Sequence, residues 1–148
     1  MKETQEIRLK AIKLLAIREH GCQELKRKLL VSGFENTLID QVLEQLKAEN
    51  LQSDIRFSTS YINSRANRGY GLLRIKLELK GKGISPEVIT HALDEVSIDW
   101  SQEINKVWYK KFKSEFPSTP KEKVKQWRFL QYRGFSQDLI SELFKNCN

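Results

Sequence analysis

The sequence predicts an all-α fold made of three tandem three-helix repeats of about fifty residues each, stacked as an elongated array. One apolar pattern recurs three times along the chain, at spacings of 50 and 51 residues. Residues that mark turns are scarce, since the 148 residues include only seven Gly and three Pro. A hydrophobic share of 39% supplies enough apolar surface for a core in each repeat.

The repeat is anchored on three glycines, Gly33, Gly83 and Gly134. Apolar positions around them align in all three copies: Ile7/Phe57/Trp108, Leu29/Leu79/Leu130, Phe34/Ile84/Phe135, Ile39/Ile89/Ile140 and Val42/Ala92/Leu143. Each copy therefore predicts two helices, a glycine that closes the second helix with a positive φ, and a third helix. The predicted repeat boundaries are 1–50, 51–98 and 99–148.

The predicted helices cover 5–19, 22–32, 36–48, 53–67, 71–81, 86–96, 100–115, 120–132 and 136–146. Ser85, Thr119 and Ser136 are expected to cap the helices that follow them, with Glu122 completing a capping box. The stretch 55–61 alternates like a strand, but the repeat places it in a first helix. In the helix over 71–81 we expect an apolar face made of Leu73, Ile75 and Leu77.

Positive charge is concentrated in the last third of the chain. The net charge is +7, and residues 101–148 account for +5 of it, with ten Lys/Arg and five Asp/Glu. A solvated helix surface explains any one of these cations, but the clusters together favour recognition of an anion. The candidate contacts are Arg65, Arg68, Tyr70, Arg74, Lys76, Lys80, Lys106, Lys110, Lys113, Lys123, Arg128 and Arg133. Of these, Lys106, Lys110 and Lys113 are expected to share one helix face.

The motifs of common enzyme classes are missing from the sequence: it contains no phosphate-binding glycine loop, no HExxH and no GxSxG. We therefore expect a binding protein without enzymatic activity, cofactor or metal. Cys22 and Cys147 are far apart and lie in no CxxC, so both are expected to be reduced thiols. With no apolar stretch of membrane-spanning length and a charged start, the chain is expected to be cytoplasmic.

Four segments of the sequence carry recognisable motifs: residues 18–29, 54–58 and 68–84, and Arg133-Gly134-Phe135 with Ile140. They resemble the RecX family of RecA regulators, and the last of them is similar to its final-repeat pattern. Residues 18–29 are similar to its first-repeat signature, and residues 54–58 resemble its D-x-R-F-A segment, with Ser58 in place of Ala. Residues 68–84 resemble the central RGxGxxxIxxELxxKGI block, where Leu72 replaces a common proline. The resemblance implies tandem three-helix units in a monomer that lies in the groove of the RecA–DNA filament. It further implies restraint of strand exchange, ATP hydrolysis and co-protease activity, with direct contact to single- or double-stranded DNA in some members.

A free-standing DNA-binding protein of the helix-turn-helix type is the alternative. Such proteins read bases with polar side chains on a recognition helix, commonly as dimers. The predicted third helices, such as 136–146, are mostly apolar with acidic residues, which disfavours this alternative.

The predicted array can be tested by small-angle scattering. A compact chain of this length would have a radius of gyration of roughly 15 Å. Three units stacked in a row should give a clearly larger value and an asymmetric distance distribution. A radius near the compact value would contradict the stacked arrangement.

Overall fold

A computed structural model of the chain describes residues 2–113 and 115–145, and within these ranges it contains nine α-helices and no strand. The helices are α1 (Lys2–Ile17), α2 (Cys22–Val31), α3 (Asn36–Ala48), α4 (Asp54–Asn67), α5 (Leu72–Gly81), α6 (Pro86–Glu95), α7 (Trp100–Phe112), α8 (Pro120–Tyr132) and α9 (Gln137–Lys145). The all-α prediction is confirmed, and the strand-like stretch 55–61 lies in α4. None of the described helices is long and apolar enough to span a bilayer.

The predicted end of the seventh helix, residue 115, is wrong. Helix α7 ends at Phe112, because Lys113 adopts the left-handed conformation with a φ of 51° and stops the helical hydrogen bonding. Lys113 therefore does not continue the face that carries Lys106 and Lys110. In the described chain Cys22 is a free, half-buried thiol, whereas Cys147 and the predicted last residue of α9, Asn146, lie outside the described residues.

The three repeat glycines have the backbone conformation that the sequence predicts. Their φ angles are 93° at Gly33, 81° at Gly83 and 103° at Gly134. At the last of these, the N–H of Phe135 donates to the carbonyl of Leu130 at 3.2 Å, and that of Gly134 donates to Gln131 at 3.0 Å. These paired bonds satisfy carbonyls at the end of α8 that would otherwise lack partners.

Side-chain caps start the predicted helices α6, α8 and α9. The Ser85 and Ser136 hydroxyls accept hydrogen bonds from backbone N–H groups three residues later. Thr119 accepts from the N–H of Glu122 at 3.1 Å. The Glu122 carboxylate accepts from the N–H of Ser118, at 2.8 Å, one residue before the position that a capping box requires. The cap at Thr119 is thus confirmed, and its reciprocal bond is displaced by one residue.

Burial follows the repeat. Leu29, Leu79 and Leu130, which precede the three glycines by four residues, are fully buried. The repeat-equivalent residues of the first and third helices are buried as well: Ile7, Phe57, Trp108, Ile39, Ile89, Ile140, Val42, Ala92 and Leu143. One amphipathic pattern therefore builds the core of all three copies.

The predicted apolar face of α5 is wrong. Ile75 is fully buried, but Leu73 is 48% exposed and Leu77 is 70% exposed. Residues two apart on a helix point in nearly opposite directions, whereas residues four apart share a face. Ile75 therefore points inward together with Leu79, and the two exposed leucines share another face.

The described chain forms two compact units. The first contains Met1–Ser60 with Leu79–Glu95, and the second contains Tyr61–Glu78 with Val96–Asn148, so the middle repeat contributes to both. In the first unit the N–H of Cys22, at the start of α2, donates to the Asp54 carboxylate at 2.8 Å. The buried Gln52 side chain donates to the same carboxylate and to the carbonyl of His20. This network fixes the start of α2.

Substitution of Leu79 tests the helix phase in α5. Leu79→Ala should lower the free energy of unfolding by about 2–5 kcal/mol, because it removes a fully buried side chain. Leu77→Ala is the matched control on the same helix and should change it by no more than about 0.5 kcal/mol. Chemical denaturation measures both, and equal effects would contradict the phase described for α5.

Candidate anion-binding cleft

In the second unit the start of helix α5 is joined to the end of helix α8 by backbone hydrogen bonds. The N–H of Gly71 donates to the carbonyl of Arg133 at 2.7 Å, and the N–H of Leu73 donates to the carbonyl of Gly134 at 3.0 Å. The first N–H groups and last carbonyls of a helix have no partners within the helix. Each helix end thus satisfies the other, and the positive end of α5 meets the negative end of α8. We call this contact the α5–α8 joint.

Two glycines allow the joint to close. A Cβ on Gly71 would lie 2.5 Å from the carbonyl carbon and oxygen of Gly134, and both are backbone atoms that cannot rotate away. A Cβ on Gly134 would lie 2.4 Å from the Cβ of Arg74. Gly134 also has a φ of 103°, which other residues rarely adopt. The absence of a side chain at both positions is therefore what permits the helix ends to touch.

Beside the joint, the carboxylate of Glu78 binds the side chains of Tyr61, Arg65 and Arg74. We call these four residues the Glu78 cluster. Arg65 donates from Nη2 at 2.8 Å and from Nε at 2.9 Å, the Tyr61 hydroxyl donates at 2.9 Å, and Arg74 Nε donates at 3.2 Å. Such charge-assisted bonds are stronger than neutral ones. The cluster connects α4 to α5.

The cluster shifts the pKa of its members. Partial burial alone would raise the pKa of Glu78, but the hydrogen bonds from Arg65, Tyr61 and Arg74 outweigh burial and hold that pKa below its ordinary value. Burial, followed by the hydrogen bond to Glu78, raises the pKa of Tyr61 to about 12. Glu78 is therefore ionised and Tyr61 neutral at physiological pH.

Tyr70 is surrounded by guanidinium groups. The guanidinium carbons of Arg65, Arg74 and Arg133 lie 3.8, 4.6 and 5.0 Å from the centroid of its ring. These distances are typical of cation–π contacts. Three residues that the sequence predicts as partner contacts are thus engaged inside the unit: Arg65 and Arg74 bind Glu78, and both lie over the ring of Tyr70.

Next to this network the second unit contains an open cleft of about 370 Å³, which we call the basic cleft. Its lining is formed by the end of α4, by α7 and by the end of α8: Ala66, Asn67, Arg68, Gly69, Glu103, Lys106, Val107, Lys110, Lys111, Phe129 and Arg133. Five of these side chains are cationic and one is acidic. The cleft therefore concentrates positive charge in a concave surface.

The five cations of the basic cleft differ in how they are held. Lys106 pairs with Glu103 at 3.3 Å, and Arg133 donates to the carbonyl of Arg68 at 3.2 Å. Lys111 lies 5.4 Å from the centroid of the Phe129 ring. Arg68 and Lys110 are exposed and form no ion pair with any residue of the described ranges. Arg133 and Lys111 also have no acidic partner among the described residues, so four of the five positive charges remain unneutralised.

The structure brings four of the twelve predicted contacts into the basic cleft: Arg68, Lys106, Lys110 and Arg133. Five others are exposed and do not line it: Lys76, Lys80, Lys113, Lys123 and Arg128. Lys111 also lines the cleft, although the sequence analysis did not select it. A helix face drawn through Lys106, Lys110 and Lys113 excludes Lys111, and no sequence signal marks the end of α7 at Phe112.

Comparison with protein families matches three domain models in order along the chain. The first, second and third three-helix domains of RecX match residues 8–46, 53–93 and 101–144. A protein from Pseudomonas fluorescens named regulatory protein RecX is 44% identical over 93% of this chain and 88% of its own length. A protein of the same name from Ectopseudomonas mendocina is 40% identical, over 96% of this chain and 95% of its own length.

Solved structures share the fold. The crystal structure of RecX from Lactobacillus salivarius matches with a TM-score of 0.80 and 19% identity, covering 99% of this chain and 97% of that one. A crystal structure of a regulatory protein RecX matches with a TM-score of 0.78 and 17% identity, covering 97% of this chain and 72% of that one. At these identities the likeness concerns the three-helix architecture alone.

Substitution of Glu78 tests the cluster. Glu78→Gln should lower the free energy of unfolding at neutral pH by about 1–2 kcal/mol, because charge-assisted hydrogen bonds at a partly exposed site are lost. Glu142→Gln, at an exposed position of α9, is the control and should have little effect.

The same variant has an expected pH dependence. Because the folded-state pKa of Glu78 is lower than its ordinary value of 4.5, the stabilisation is present above pH 4.5 and is lost as pH falls through the folded-state value. Urea denaturation at a series of pH values should therefore show that the difference in unfolding free energy between the parent and Glu78→Gln shrinks as the pH falls below 4.5. A difference that is independent of pH would contradict an ionised Glu78 at the centre of the cluster.

Proposed function

Because the chain belongs to the RecX family, we propose that it regulates the RecA recombinase by binding the RecA–DNA filament. Bound there, it lowers strand exchange, DNA-dependent ATP hydrolysis and co-protease activity. The observation that carries this proposal is the ordered match of all three RecX domains, together with 40–44% identity to proteins named regulatory protein RecX over more than nine tenths of the chain.

The charge distribution is compatible with a nucleoprotein partner. A filament on DNA is a dense polyanion, and a protein of net charge +7 is attracted to it over the range of the Debye length. The basic cleft places five of these cations in one concave surface of the second unit. Long-range attraction raises the rate of encounter, and the cleft supplies a place where charges meet at short range.

Exposed apolar side chains offer a contact of a different kind. Leu73 and Leu77 lie one turn apart on α5, with the exposed Lys76 between them. Protein interfaces derive much of their affinity from apolar side chains that become buried on binding. We propose this face of α5 as a contact with the RecA protein.

The proposed mode of action is binding without chemistry. RecX relatives are named as regulatory proteins, and five of the seven charged or polar side chains that line the basic cleft are cations, the others being Asn67 and Glu103, which is paired with Lys106. In this proposal the protein acts in the cytoplasm as a monomer, without cofactor, and in proportion to the filament sites it occupies.

An ATPase assay tests the proposal. RecA on single-stranded DNA should hydrolyse ATP more slowly as this protein is titrated in, with the effect approaching saturation as filament sites fill. The protein alone should hydrolyse no ATP and cut no DNA. RecA without DNA serves as the baseline, which identifies the DNA-dependent part of the rate. An unchanged DNA-dependent rate with a cognate RecA, up to stoichiometric amounts, would reject the proposed function.

A further inference from the structure

We infer that the basic cleft binds phosphates of a nucleic-acid backbone without stacking the bases. The inference deepens the proposed function and rests on it for the biological source of the nucleic acid, which is the DNA of the filament. The binding chemistry belongs to the cleft itself and can be measured on the isolated protein.

The charge of the basic cleft favours binding of an anion that carries several negative charges along its length. Its lining has four more positive than negative charges, and the single carboxylate, Glu103, is paired with Lys106. Arg68, at the end of α4, and Lys110, on α7, approach the cleft from two different elements and have no ion-pair partner within the described residues. Successive phosphates of a strand can neutralise such separated cations, with release of bound counterions.

A glycine gives Arg133 its place in the cleft. Gly69 has a φ of 90°, and a Cβ there would lie 3.1 Å from Arg133 Nη1 and 3.2 Å from Val107 Cγ2. Arg133 Nη1 lies directly beside the space that this side chain would fill and donates to the carbonyl of Arg68. The guanidinium is thereby fixed at the wall of the cleft, and a fixed guanidinium loses little side-chain entropy when it binds phosphate.

The aromatic ring of the cleft is already covered. Phe129 has the guanidinium of Arg133 at 5.1 Å and the ammonium of Lys111 at 5.4 Å over its ring, and Phe112 packs against it edge to face at 5.5 Å. Proteins that stack bases present a free aromatic face. A base would compete with these groups for the Phe129 ring, so we expect the cleft to contact the backbone and not the bases.

The lining favours nucleic acid over an acidic protein segment. Protein partners are held chiefly by apolar anchors in desolvated pockets. Apart from the covered Phe129, the apolar side chains of the cleft are those of Ala66 and Val107, of which Ala66 is buried. Phosphate binding needs no such anchor, since it depends on charge and on guanidinium hydrogen bonds.

The experiment measures binding of the isolated protein to two fluorescent single strands of equal length by anisotropy. One is oligothymidylate, and the other is the same phosphodiester chain with abasic sites throughout. Both should bind with affinities that agree within about twofold, because the loss of even one base stacked on an aromatic ring costs about fivefold or more. Markedly weaker binding of the abasic strand would overturn the inference and point to exposed rings outside the cleft, Tyr109 and Tyr132.

Two variants matched in charge locate the site. Arg68→Gln/Lys110→Gln should bind either strand about tenfold more weakly at roughly 0.15 M salt. The slope of the logarithm of the binding constant against the logarithm of the salt concentration should become shallower by about 1.4, which is about 0.7 for each lost phosphate contact. Lys10→Gln/Lys13→Gln removes two exposed charges from α1 and should retain nearly full affinity. Equal losses in both variants would overturn the inference, since binding would then follow net charge alone.

Two further measurements separate the remaining explanations. Arg68→Lys/Lys110→Arg keeps both charges and one guanidinium and should bind within about twofold of the parent, whereas weak binding by this variant would overturn the inference that charge at these two positions holds the phosphates. Polyglutamate at equal charge concentration should compete poorly with the abasic strand, and efficient competition would assign the cleft to acidic protein segments. If the DNA results agree with expectation while RecA ATP hydrolysis is unaffected, the inference stands and the proposed function fails.

Discussion

The α5–α8 joint is the constraint on which the candidate site depends. It satisfies backbone groups at two helix ends that have no partner within their own helices. By fixing the end of α8 against the start of α5, the joint sets the position of Arg133. From there the Arg133 side chain reaches the carbonyl of Arg68, lies over the rings of Tyr70 and Phe129, and forms one wall of the basic cleft.

Cations that look alike in the sequence have two different roles in the second unit. Around Glu78 the guanidinium groups of Arg65 and Arg74 share one carboxylate, and the bond from Arg65 holds α4 to α5. In the basic cleft the charges of Arg68 and Lys110 are left without an acidic partner among the described residues. The first pair contributes to folding, and the second contributes to the potential that an anionic ligand would meet. The number of basic residues in the sequence cannot distinguish these two roles, because the role of each cation depends on whether the fold places a carboxylate beside it.

The architecture could be predicted from the sequence because it rests on local and repeated signals. The glycines at 33, 83 and 134 and the leucines four residues before them recur in register, and the capping residues Ser85, Thr119 and Ser136 precede their helices directly. The error in α5 was of another kind. Leu73, Ile75 and Leu77 alternate as in a strand, and only the helical period shows that Ile75 pairs with Leu79 on the buried face.

The candidate site was less predictable because it is made by tertiary contacts. Arg65 and Glu78 are thirteen residues apart and meet only when α4 packs on α5, so their sequence spacing carries no sign of the pair. Arg68 and Arg133 are 65 residues apart and come together through the α5–α8 joint. Lys111 lies on the side of α7 that faces Phe129, beside the face predicted from Lys106, Lys110 and Lys113, and only the packing of α7 on α8 brings it to the cleft.

The joint also determines how the gene for this chain tolerates mutation. Its hydrogen bonds come from peptide groups, which are present whatever side chain a codon specifies, so most missense changes along the rim of α5 and α8 leave the bonds in place. At the codons for Gly71 and Gly134 every missense change adds a Cβ, and at both positions that atom would collide with neighbouring atoms at 2.5 Å or less. The joint therefore tolerates substitution at most of its positions but not at Gly71 and Gly134, because it is formed by backbone groups alone.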